Sequence, residues 1–169
     1  MKYIIVPAML ALIAMHAMAH VTANPNTGVA GNYFQTSLRI SHGCEGSPTT
    51  SITVQIPESI LSVRPQAKAG WKITIKKRPL NPAVDIGHGK MAKEAVNEIT
   101  WSGKLADDQY DEFGLVMKLP ESAGQTLWFP TVQKCAKGEN RWVEIPTEKQ
   151  EWHHVQRPAP FVKLTQPAQ

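Results

Sequence analysis

Phe113-Gly114-Leu115-Val116-Met117-Lys118-Leu119-Pro120 is the stretch whose reading decides the fold. Phe113, Leu115, Met117 and Leu119 stand at every second position, and the run stops at Pro120. Side chains repeating with period two line one face of a β-strand, whereas a helix face needs spacings of three and four. Upstream the same period returns in Phe34, Thr36, Leu38 and Ile40, then in Ile52, Val54 and Ile56 before Pro57. Trp71, Ile73 and Ile75 repeat it ahead of Pro79, and Glu98–Trp101 is a shorter run closed by Ser102-Gly103. Downstream, Leu127–Val132 is almost continuously apolar around Pro130, which marks an edge strand or a bulge. Arg141–Ile145 ends at Pro146.

Runs of this kind, punctuated by Pro and Gly at short intervals, predict an all-β fold. The expected form is an immunoglobulin- or cupredoxin-like β-sandwich of about seven to nine strands. Helical spacing is confined to Met91–Ala95, enough for a turn or two. Ser59–Gly70, with Pro65, and Leu80–Lys90, with Pro82, Gly87 and Gly89, read as long loops. From Gln150 the pattern fades. Residues 20–150 are therefore read as one domain and 151–169 as an extended tail, on which Phe161, Val162 and Leu164 can dock.

Residues 1–19 read as a cleaved signal peptide. Lys2 gives a minimal basic start, Tyr3–Met15 is a short apolar segment, and Ala17-Met18-Ala19 places small residues two apart before a cut. The segment is too short for a membrane span, and no later stretch is apolar enough for one. The expected location is periplasmic or otherwise extracytoplasmic. The 169 residues carry 18 Lys+Arg and 14 Asp+Glu, and losing Lys2 with the leader takes the net charge from +4 to +3. Lys76-Lys77-Arg78 is the only basic cluster, and a run of three reads as a solvated strand end. No nucleic-acid partner is expected, since no recognition module is present. Cys44 and Cys135 make an even count, which in an exported chain favours a disulfide. A thiolate metal site is the competing reading, to which His42-Gly43-Cys44 lends some appeal.

A cut after Ala19 makes His20 the first residue. Its α-amino nitrogen and imidazole Nδ1 can then close a chelate ring on one metal ion, and such neutral nitrogen donors suit Cu(II). An anionic oxygen would complete the set. Tyr110-Asp111-Glu112-Phe113 places carboxylates at a strand start; if Phe113 enters the core, Glu112 points outward, toward a first strand carrying His20 if the two are neighbours. A solvated pair of acids is the competing reading. His42, His88 and His153-His154 are further histidines without a dedicated ligand spacing, and the chain has no nucleophile elbow.

Several pieces together resemble the YcnI-like copper-binding domain family. They are His20-Val21-Thr22 with Pro25 and Gly31, Arg39-Ile40-Ser41-His42-Gly43-Cys44, Gly46-Ser47-Pro48-Thr49-Thr50 and Gly70-Trp71. Glu98-Ile99-Thr100-Trp101-Ser102-Gly103, Tyr110-Asp111-Glu112-Phe113, Leu127-Trp128-Phe129-Pro130, Gln133-Lys134-Cys135 and Arg141-Trp142 follow in order. The resemblance implies an exported β-sandwich of copper homeostasis. It implies Cu(II) held by the amino and imidazole nitrogens of His20, a brace built on one histidine. It also implies a carboxylate at Glu112 and a nearby tryptophan at Trp142, a position that a core residue would fill equally well. Glu45, beside Cys44, is the second choice for the oxygen, and His42 is an alternative ligand. The Cys44 and Cys135 pair is not shared by every branch of that family. The expected function is a copper buffer or metallochaperone rather than an enzyme, with other copper-handling proteins of the compartment as partners. The alternatives are a copper-dependent monooxygenase, which would need a second histidine at the metal, and a structural sandwich without metal.

Overall fold

The computed structural model describes residues 20–87 and 89–167. The leader reading of 1–19 and the loop reading of His88 fall outside the described residues. Twelve strands follow in order: β1 (Thr22–Asn24), β2 (Thr27–Val29), β3 (Tyr33–Ile40), β4 (Thr49–Gln55), β5 (Val63–Pro65), β6 (Lys72–Asp85), β7 (Met91–Leu105), β8 (Asp111–Lys118), β9 (Thr126–Trp128), β10 (Thr131–Cys135), β11 (Glu139–Trp142) and β12 (Phe161–Thr165). A 3₁₀ turn, Trp152–His154, is the only helical element among the described residues. The all-β class is as expected. The strand count exceeds seven to nine because β1, β2, β5 and β9 are three-residue strands, too short to show a period in the sequence.

The strands form three sheets, with orders β1-β3-β8-β5, β11-β10-β4-β7-β6 and β2-β12-β9. The deciding stretch, in β8, pairs antiparallel with β3 in a register that sets Leu38 opposite Phe113 and Thr36 opposite Leu115. Both strands thus turn their apolar faces the same way, onto Ile52 and Val54 of β4 and Ile99 and Trp101 of β7. A one-residue slip would expose every one of these side chains, so the hydrophobic pattern itself specifies the register. Trp71 and Trp101 pack edge-on against Phe113 at 4.8 and 5.5 Å between ring centroids, the arrangement aromatic quadrupoles prefer.

Four expectations are corrected. Met91–Ala95 is not helical: it opens β7, whose ladder with β6 runs from Asp85↔Met91 to Lys72↔Ser102. Five residues are too few to nucleate a helix alone, and β6 pairs with Met91, Ala92, Glu94 and Ala95. Leu80–Lys90 is not a long loop, since β6 continues through Asp85; β6 is the last strand of its sheet, where proline is tolerated, and Pro82 falls in the irregularity between Pro79 and Val84. Ser59–Gly70 contains β5, paired with β8 through Val63↔Met117. Pro130 is neither in an edge strand nor at a bulge: it separates β9 from β10, where the chain passes from one sheet to another.

The segment read as a tail is built into the fold. β12 is the middle strand of the three-stranded sheet, parallel to β2 and antiparallel to β9, with Val162 and Leu164 fully buried. The proline-rich approach, Pro158 and Pro160, hides the strand in the sequence. Cys44 and Cys135 are joined, with Cα atoms 5.9 Å apart and a separation of 91 in sequence. The bond ties the turn after β3 to the end of β10. No helix among the described residues is long and apolar enough to cross a membrane.

Candidate metal centre

β1 and β11 are outer strands of their respective sheets, and His20, just before β1, sits where those two edges meet. Val21 and Ala23 take the core-facing phase of the strand, which leaves His20 on the alternate phase, half-buried. Its imidazole stands edge-on to two indoles, Trp142 at 5.7 Å and Trp152 at 5.1 Å between centroids. This burial lowers the imidazole pKa below its ordinary 6.5, and a hydrogen bond to the Gln156 backbone opposes the shift in part. The ring is therefore held neutral, the form that ligates metals. With one ring nitrogen engaged in a hydrogen bond, the other keeps its lone pair.

The two indoles are fixed from behind. Trp142 is buried, and its Nε1 donates to Oε1 of Gln133 at 3.3 Å. Gln133 is itself only 1% exposed, and its Nε2 donates to the His42 carbonyl at 2.7 Å and to Thr49 Oγ1 at 2.8 Å. One side chain in β10 thus joins the loop after β3, the start of β4 and the tryptophan against His20. Trp152 donates its Nε1 to the Ala159 carbonyl at 2.7 Å and packs on Phe161 at 5.8 Å. Trp152 and Gln156 cover His20 from the segment that leads into β12.

The other sequence-derived residues stand elsewhere. β3 lies between β1 and β8, so the two strands are not neighbours and Glu112 does not face the strand that follows His20. Register aligns Thr22 with Arg39 and Arg39 with Glu112. Arg39 fills the intervening position and donates to Oε1 of Glu112 through Nε at 3.0 Å and Nη2 at 2.9 Å. Asp111 pairs with Lys68 at 2.5 Å. Glu45 is exposed at the tip of the Cys44–Ser47 turn, where its φ of 50° and Gly46's φ of 83° are both left-handed. His42, half-buried on the same loop, turns Nδ1 to the Gly43 carbonyl at 2.6 Å.

The family described as a domain of unknown function, DUF1775, matches residues 20–164. The chain belongs to this family. The span covers the whole sandwich, β12 included, and opens on His20. A curated relative of this DUF1775 chain is the copper-binding protein CutI of Bacillus subtilis (strain 168), 23% identical over 112 residues. That stretch is 66% of this chain but only 49% of the relative, so the match spans about half of that protein's length. Together these matches bear out the YcnI-like resemblance. A crystal structure of a protein from Nocardia farcinica, described as having an immunoglobulin-like fold, superposes with a TM-score of 0.62 at 24% identity. It covers 86% of this chain and 98% of its own, and it supports the immunoglobulin-like sandwich.

Three residues of this DUF1775 domain, Gln133, Trp152 and Gln156, stand at the site without having been singled out for it in the sequence. Gln133 carries a legible signal: Thr131, Gln133 and Cys135 share a phase of β10, and Thr131 and Gln133 are both buried. A polar side chain in a core phase must find partners. Trp152 carries none, because the spacing around it matches neither a strand nor a helix.

Proposed function

We propose that this domain binds Cu(II) outside the cytoplasm as a buffer or carrier, through the α-amino nitrogen and imidazole of His20 after removal of residues 1–19. The observation that carries the reading is the placement of His20: a half-buried imidazole kept neutral between Trp142 and Trp152, at the residue where the family match opens. Two neutral nitrogens from one residue fit the tetragonal N,O preference of Cu(II). The copper-binding relative supports the choice of metal. Few protein ligands near the surface suit an ion that is to be handed on rather than kept. Glu112 is proposed as the carboxylate donor. Arg39 engages only its Oε1, which leaves Oε2 as the donor, and β3 lies between its strand and β1.

The test compares a chain beginning at His20 with one that retains a single residue before it, by Cu(II) titration followed through indole quenching. The extension turns the amine into an amide without a free lone pair, and tight binding should weaken about a hundredfold or more, about 2.7 kcal/mol. His20→Ala should do the same. Glu112→Gln should weaken it less, since the charge is lost but an oxygen is kept. Equal affinity in the extended and mature chains would move the metal away from His20.

A further inference from the structure

Behind the indole that walls His20 lies a second set of donors. Glu151, His153 and His154 each present one ligand atom, and these atoms all lie within 4.8 Å of one another. His153 Nε2 is 2.9 Å and His154 Nδ1 is 3.7 Å from the same carboxylate oxygen, Oε2 of Glu151. The two imidazole rings are 4.3 Å apart. The backbone explains part of the convergence. Side chains at i and i+3 of a 3₁₀ turn eclipse, and Glu151 and His154 are three apart across the turn.

We propose that Glu151, His153 and His154 form a second, surface site for Cu(II), a loading station from which the ion passes to His20. The two distances to Oε2 suit a shared ion as well as they suit ion pairs, and all three donor atoms lie within 4.8 Å of one another. Ligands each about 2.0 Å from a metal lie about 2.8 to 4.0 Å apart, from neighbouring to opposite positions. Both distances to Oε2 fall within that range. All three side chains are about two-thirds exposed, at 67%, 63% and 70%, and exposed histidine–carboxylate pairs contribute little stability. Stability therefore does not account for two imidazoles gathered on one oxygen. Two imidazoles and one carboxylate are a donor set for Cu(II) or Zn(II), and open coordination positions let an ion arrive and leave.

Trp152 links the two sites. It lies between Glu151 and His153 in sequence, yet its ring points inward onto His20 and is anchored on the Ala159 carbonyl. The donors thus sit outside the turn whose inner face covers His20. The transfer step rests on the His20 reading; the existence of the outer site does not.

Four proteins separate the possibilities: the mature chain, its H153A/H154A variant, the chain extended by one residue before His20, and the extended chain carrying H153A/H154A. Titrated with Cu(II) and followed by electron paramagnetic resonance, the mature chain should hold two distinguishable ions. H153A/H154A should hold only the tighter, the extended chain only the weaker, and the combined protein neither. In stopped flow, loading at His20 in H153A/H154A should slow about tenfold or more with equilibrium affinity unchanged, about 1.4 kcal/mol on the barrier. An extended chain that binds no Cu(II), or an H153A/H154A variant that keeps both ions, would overturn the outer site. An unchanged loading rate would overturn the transfer. A weaker ion that persists in the extended chain while the mature chain shows no tighter one would reject the His20 reading and leave the outer site standing. The substituted histidines are exposed, and thermal unfolding serves to confirm that each variant is folded.

Discussion

Replacing Gln133 with leucine should unfasten the tryptophan beside His20 and cost a large share of the domain's stability. The substitution conserves most of the volume, so no large cavity opens, and its effect is that of the lost polar partners. It removes the acceptor of the Trp142 Nε1 proton and the donors to the His42 carbonyl and Thr49 Oγ1. The Thr49 hydroxyl can rotate; the indole N–H and the carbonyl cannot. Two such groups left unpartnered cost about 1–3 kcal/mol each. The added apolar contact of leucine returns about 1 kcal/mol, for a net loss of about 1–5 kcal/mol with a centre near 3. Against a total of about 5–15 kcal/mol this is easily measured. In urea, with a slope of about 1–3 kcal/mol/M, a loss near 3 kcal/mol should lower the midpoint by about 1–3 M. Tryptophan emission of the native state should change as well, because the Trp142 indole loses its polar partner. A Gln133→Leu protein within about 0.5 kcal/mol of the parent, the range of ordinary surface changes, would refute the assignment of Gln133 as the tie between β10, the Cys44 loop and Trp142.

Reduction of Cys44–Cys135, or its replacement by two alanines, should lower stability by about 4–5 kcal/mol, the chain-entropy value for a loop of this length. Denaturation of the oxidised and reduced proteins measures it, and coincident curves would show that the link constrains nothing. The metal-free protein should lose stability as pH falls below about 6.5, because the unfolded chain takes up the His20 proton before the folded one does. The His20→Gln protein should lack this slope, so parallel pH profiles of the two between about pH 5 and 7 would contradict the burial of the imidazole.

The sequence carried the core and missed the periphery, for one physical reason. Where a strand has one face in the core and the other toward solvent, as in β3, β4 and β8, composition alternates and the strand is legible. The outer half of the β6–β7 hairpin has no such contrast: Ile86 and Met91 are exposed among polar neighbours. Strand order is not written in a period at all. The alternation that turns Glu112 away from the core could not say that β3 lies between it and β1. His20 was singled out because the chemistry proposed for it rests on a proposed cut next to it, a local signal. Of its surroundings only Trp142 was named, through the family resemblance; Trp152 and Gln156 reach it through long-range folding and left no local signal.

β12 and the turn before it also govern when the site can come into being. His20 leaves the ribosome ahead of everything else in the sandwich, and its cover is made more than a hundred residues later. A growing or threading chain therefore holds a half-covered histidine until Trp152 arrives and β12 takes its place between β2 and β9. A product cut short after β11 would keep Trp142 against His20 but lack Trp152 on the other side. Enclosure of the histidine on its Trp152 side therefore waits for the segment that leads into β12.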